Sequence, residues 1–91
     1  MLQTIRFIIS GKVQGVFYRQ ATKEKAQELK ISGTVRNLPN GDVEIIASAS
    51  PEQLQLFREW CQQGPPRAIV HNIEATPLPL QLYDSFTIIR L

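Results

Sequence analysis

Two kinds of apolar spacing alternate along the chain. Thr4-Ile5-Arg6-Phe7-Ile8-Ile9-Ser10 repeats every second residue, with Ile5, Phe7 and Ile9 on one face, which predicts a strand. Arg19 to Leu29 has helical spacing. Thr22, Ala26 and Leu29 lie along one stripe there, while Lys23, Glu24, Lys25 and Glu28 face water. Thr34 to Leu38 and Asp42 to Ala47 read as two further strands joined by Pro39-Asn40-Gly41. Asn-Gly between alternating runs predicts a hairpin, because both residues accept positive φ. Val35 and Leu38 fall on opposite faces of a regular strand, which predicts irregular pairing before the turn.

Ser50-Pro51-Glu52-Gln53 opens a second helix: Ser50 caps, Pro51 fits the first helical position and Gln53 completes a capping box. Leu54, Phe57 and Cys61 follow on one face, and Gly64-Pro65-Pro66 ends the helix. Ala68 to Ala75 reads as a strand with Ile69, His71 and Ile73 opposite Val70, Asn72 and Glu74. Thr76 to Asp84, with Pro77 and Pro79, reads as a loop, and Ser85 to Ile89 as a last short strand. The order is βαββαβ plus a short C-terminal strand. It predicts an α+β, ferredoxin-like α/β sandwich with two helices on one face of a mainly antiparallel sheet.

The 91 residues suit a single domain spanning 1–91. A chain of this size buries roughly 60–65% of its unfolded surface, enough to fold without disulfides or a structural metal. The lone Cys61 excludes an intramolecular disulfide, and one cysteine with one histidine argues against a zinc site within the chain. Phe7-Ile8-Ile9 is too short for the core of a signal peptide, and no stretch approaches the roughly 20 apolar residues of a membrane span. A cytoplasmic setting away from the membrane is expected.

Net charge is +2, unevenly spread. Residues 1–40 hold seven basic side chains against two acidic ones, a net +5, whereas residues 41–91 hold three against six, a net −3. The asymmetry suits attraction of a small anion to the N-terminal half. No long basic run marks a nucleic-acid surface.

The candidate chemistry lies in Gly11-Lys12-Val13-Gln14-Gly15-Val16-Phe17-Tyr18-Arg19, between the first strand and the first helix. Its glycines allow a curled backbone, and such a curl at a helix N-terminus aims several N–H groups at one spot. The planar guanidinium of Arg19 matches phosphate geometry. The loop is neither a Walker A motif nor a dinucleotide fingerprint, because Gly11 and Gly15 stand four apart with no third glycine following. By itself it reads either as a phosphate-binding loop with an arginine clamp or as a plain strand-to-helix turn.

The same nine residues closely resemble the acylphosphatase signature G-x-V-Q-G-V-x-[FYW]-R. Gly33-Thr34-Val35-Arg36-Asn37 resembles the family's second signature, G-x-V-[RK]-N, and the similarity runs from about Ile5 to Ile89. The resemblance implies metal-free, cofactor-free hydrolysis of the carboxyl–phosphate bond of small acyl phosphates, yielding a carboxylate and inorganic phosphate. It implies that the backbone N–H groups of Gly15, Val16, Phe17 and Tyr18 bind the phosphoryl oxygens, that Arg19 binds phosphate and that Asn37 positions the attacking water. A monomer acting on a small molecule, with no nucleic-acid partner, is expected.

The chemistry is consistent with these side chains. Phosphoryl transfer has a loose transition state, so catalysis is mostly positioning and charge stabilisation. A carboxylate, with a parent acid pKa of roughly 4–5, leaves without a proton donor. An amide has no basic form at neutral pH, so Asn37 orients water instead of deprotonating it.

The chain departs from the common family pattern at Lys30, where members often have Gly, and at Thr34, where many have Trp. Cys61 and Trp60 read as packing residues, and His71 as a structural or exposed strand residue. Two other readings stand beside the enzyme: a non-catalytic module binding acyl or carbamoyl phosphate, and a ferredoxin-like nucleic-acid binder. The second needs aromatic side chains on an exposed sheet face, and the first strand offers only Phe7.

Overall fold

The computed structural model describes residues 1–90; Leu91, the last residue of the expected 1–91 domain, lies outside the described residues. Seven elements follow in order: β1 (Gln3–Lys12), α1 (Tyr18–Glu28), β2 (Ser32–Asn37), β3 (Val43–Ala49), α2 (Pro51–Gln63), β4 (Ile69–Leu78) and β5 (Phe86–Ile88). The sheet runs β4-β1-β3-β2-β5. β1 pairs antiparallel with β3 and β4, and β2 with β3, while β5 lies parallel to β2. This is the expected ferredoxin-like α+β arrangement.

The period-two pattern builds the core. Phe7 and Ile9 of β1, Val35 of β2, and Val43, Ile45 and Ala47 of β3 are buried against Tyr18 and Ala26 of α1 and Leu54, Phe57 and Cys61 of α2. Phe57 meets Phe7 and Phe86 edge-on, with ring centroids 6.4 and 6.1 Å apart.

Helix ends follow the sequence signals. Ser50 accepts from the Gln53 N–H while the Gln53 side chain accepts from the Ser50 N–H, completing the capping box. α1 ends in a Schellman motif: Lys30 N–H donates to Gln27 and Ile31 N–H to Ala26. Lys30 takes the left-handed conformation there, with φ 60°.

Several local expectations give way to tertiary context. β4 continues through Pro77 to Leu78, where a loop is expected. It is an edge strand, and an edge tolerates a residue without an N–H. The pairing of β4 with β1 shifts between Ser10 and Gly11, so Ser10 faces Asn72 and Gly11 faces Val70. His71 is the extra residue of this bulge. The bulge breaks strict alternation, so Val70 and Ile73 both pack on the core instead of opposing each other. In the β2–β3 turn only Gly41, at φ 98°, has positive φ; Asn40 does not. The Gly41 N–H donates to Leu38 and the Leu38 N–H to Asp42. Pairing stays regular up to Asn37 opposite Val43, because Leu38 belongs to the turn.

With β4 and β5 at opposite edges, residues 79–85 must traverse the sheet. They cross the face away from the helices, at the end remote from the β1–α1 loop. There the Gln81 N–H donates to Thr4 Oγ1 at 2.9 Å and Ser48 Oγ donates to the Gln81 carbonyl at 2.7 Å.

Candidate active site

Residues 13–17 join β1 to α1 in a tight curl. Val13 and Val16 are buried and pin it to the core, while Gly15, at φ 74°, turns the backbone between them. Phe17 is the N-cap of α1, in a left-handed conformation at φ 64°, ψ 25°. No side chain caps the helix and no acidic residue stands in its first turn. Among the described residues, the N–H groups of Gly15, Val16, Phe17 and Tyr18 donate no hydrogen bond. The positive end of the helix and its free donors therefore meet at one place. A left-handed aromatic residue costs about 1–2 kcal/mol, which the surrounding packing must offset.

Tyr18 follows the curl inward. Its side chain is buried against Trp60, with centroids 5.9 Å apart, and its hydroxyl donates to the Cys61 carbonyl. Burial, then the neighbouring Cys61, pushes the phenol far above its ordinary pKa, so it stays protonated. Burial also pushes the Cys61 thiol up to about 12. Cys61 is a packed core residue, as its helical spacing suggested.

Arg19 is the second residue of α1. Asn37 ends β2, and its Oδ1 is buried yet has no hydrogen-bond partner among the described residues. Buried polar atoms are paired in the great majority of cases, so this free acceptor marks a specialised position. Gln14 ties the two segments together: its Nε2 donates to the carbonyls of Leu38 at 2.9 Å and Asp42 at 2.8 Å.

A cavity of about 320 Å³ opens where these segments meet. Gly15, Phe17, Tyr18, Arg19 and Asn37 all line it, together with Gln14 and Arg90. Of the six site residues expected from sequence, Val16 alone does not line the cavity; its side chain faces the core. Gln14 and Arg90 received no role from the sequence. Gln14 stood inside the first motif, but its reach to the hairpin depends on a contact 24 residues away. Arg90 follows β5, and only the parallel docking of β5 on β2 brings it beside Asn37.

The family model for acylphosphatases matches residues 5–88. The chain belongs to the acylphosphatase family. An acylphosphatase of Marinobacter nauticus is 54% identical over 72 residues, covering 79% of this chain and 78% of that one. The solved acylphosphatase of Coxiella burnetii superposes with a TM-score of 0.93 at 38% identity, covering 97% of this chain and 93% of that one. The Bacillus subtilis acylphosphatase structure superposes with a TM-score of 0.94 at 35% identity, covering 99% and 100%. Both acylphosphatase signatures thus converge on one cavity, the first supplying its amide-rich curl and Arg19, the second Asn37.

Among the described residues, no group of three or more His, Cys, Asp or Glu side chains is arranged to hold a metal ion. No described helix is long and apolar enough to cross a membrane.

Proposed function

We propose that this acylphosphatase hydrolyses small acyl phosphates with Arg19 and the 15–18 backbone as the phosphoryl clamp and Asn37 as the water-positioning residue. The observation carrying this reading is the buried, unpartnered Oδ1 of Asn37, in the same cavity as Arg19 and the free loop amides. The guanidinium and the amides take the three phosphoryl oxygens. They stabilise charge that develops as the bond to the leaving group stretches. Asn37 Oδ1 accepts a hydrogen bond from the attacking water, leaving a lone pair of the water aimed at phosphorus.

In the reaction the water oxygen bonds to phosphorus and the phosphorus–carboxyl oxygen bond breaks. The carboxylate leaves with the bonding pair, and the water proton passes to a phosphoryl oxygen. No side chain acts as a base in this scheme. The chain works as a monomer on small substrates in the cytoplasm, without metal or cofactor. A nucleic-acid role is disfavoured because Phe7, the aromatic residue of β1, is buried on the helix side of the sheet.

The test is phosphate release from acetyl and benzoyl phosphate under excess chelator, comparing wild type with Arg19→Ala and Asn37→Ala. Losing one preorganised donor costs about 10²–10³ in kcat, and folded Arg19→Ala is expected to fall by at least that factor. Folded Asn37→Ala, without its water acceptor, is expected to lose most of its turnover. Unimpaired turnover in folded Asn37→Ala would remove the water-positioning role. A folded wild type that binds phosphate without turnover would favour a binding module.

A further inference from the structure

We infer that the Phe17 ring is the acyl-group specificity surface, so that the site favours acyl phosphates with apolar, above all aromatic, acyl groups. The inference deepens the proposed function and rests on it.

Phe17 is an anomaly among the four phenylalanines of the chain. Phe7, Phe57 and Phe86 pack edge-on in the core. Phe17 is 74% exposed and joins no aromatic contact among the described residues. Among the described residues it is also one of two non-glycine residues with positive φ. The other, Lys30, keeps a long charged side chain in water, where it suits the end of a helix. At Phe17 the bend explains the backbone but not the side chain. Gly or Asn would take the same conformation with less strain and expose no apolar ring. Strain and exposure without a structural return point to function.

Location specifies which function. Phe17 lines the cavity with Arg19 and Asn37. The other apolar lining residues among those described, Val13 and Tyr18, are buried, so among the described residues Phe17 is the one exposed apolar side chain lining the cavity. An in-line displacement puts the leaving carboxylate on the side of phosphorus away from the water. A second recess lined by Arg19, Asn37, Ile89 and Arg90 does not include Phe17. With the water held at Asn37 and the phosphoryl group at Arg19, the acyl group lies along the wall of the cavity that Phe17 supplies. A flat apolar group there covers the ring and gains both burial and offset stacking.

The deciding quantity is the ratio of kcat/KM for benzoyl phosphate to that for acetyl phosphate. Both substrates present the same phosphoryl group, so damage to the loop cancels in the ratio. Wild type is expected to favour benzoyl phosphate. Phe17→Ala and Phe17→Asn are expected to lower the ratio about tenfold, the low end of discrimination by an apolar contact. Phe17→Tyr is expected to restore most of it. Asn tolerates the left-handed backbone, so a fall in both variants does not come from collapse of the curl. Turnover of both substrates with the ratio unchanged in folded Phe17→Ala overturns this inference alone. No turnover of either substrate by wild type overturns the proposed function and this inference with it.

Discussion

The Tyr18 hydroxyl donates to the Cys61 carbonyl at 2.7 Å and so fastens the start of α1 to the end of α2. The bond fills a gap left by the sequence. In a continuing helix Cys61 would accept from the residue four positions on, but that residue is Pro65, which has no N–H. Tyr18→Phe is expected to leave this carbonyl buried and unpaired, lowering stability by about 1–3 kcal/mol. Urea unfolding monitored through Trp60 fluorescence measures the change, and an unchanged midpoint would show that the bond contributes nothing.

Gln14 holds the 13–17 curl and the Asn37 segment in register through its two bonds to the β2–β3 turn. Gln14→Glu replaces the donor with a carboxylate facing two carbonyls. It is expected to cut kcat/KM by at least about tenfold, equivalent to roughly 1.4 kcal/mol of transition-state stabilisation. Steady-state kinetics on a variant shown to be folded by circular dichroism makes the check.

On the helix-free face Glu44 accepts from Arg6 Nε and Arg36 Nε, each at 2.7 Å. Burial pushes its carboxyl up, but the hydrogen bonds from Arg36 and Arg6 outweigh burial and hold it below its ordinary value. A lowered folded pKa means stability that is fully present above the unfolded value, about 4.3, and lost as pH falls through the folded one. Glu44→Gln is therefore expected to destabilise the protein at neutral pH. The gap from wild type should close on acidification below about pH 4.3. Denaturation midpoints at a series of pH values give the curve; a gap that does not narrow as pH falls below the unfolded value would contradict it.

Lys30 holds a position that glycine fills without strain. Lys30→Gly is expected to raise stability by about 1 kcal/mol, less a few tenths for the lost charge at the helix C-terminus. Thermal unfolding reports the gain. The residue is absent from the cavity lining, so kcat/KM should stay at the wild-type value.

Where a local rule decided the structure, the sequence was a good guide. The capping box at Ser50 and Gln53, the Thr22–Ala26 stripe and the Phe7–Ile9 alternation all follow from nearest-neighbour chemistry. The failures were set by partners distant in sequence. Pro77 remains in a strand because β4 is an edge, and Val70 shares a side with Ile73 because a bulge absorbs His71. The site divides in the same way. Its two motifs were legible as chemistry, and their residues converge. Arg90 was not legible, because no pattern near it announces that β5 docks beside β2. Phe17 sat in view within the motif, but only its dihedral angles and exposure set it apart.

The crossing at residues 79–85 also affects how the chain reaches this structure. β5 has nothing to dock on until β2 is in the sheet, and the Gln81 clasp to Thr4 joins residues 77 apart. β1 likewise finds both its neighbours only after intervening elements have formed. Chain entropy is spent on closing long loops before the contacts that reward it exist. Refolding is accordingly expected on the order of milliseconds to seconds, not microseconds, and the cavity is complete only once the chain that carries Arg90 lies beside Asn37.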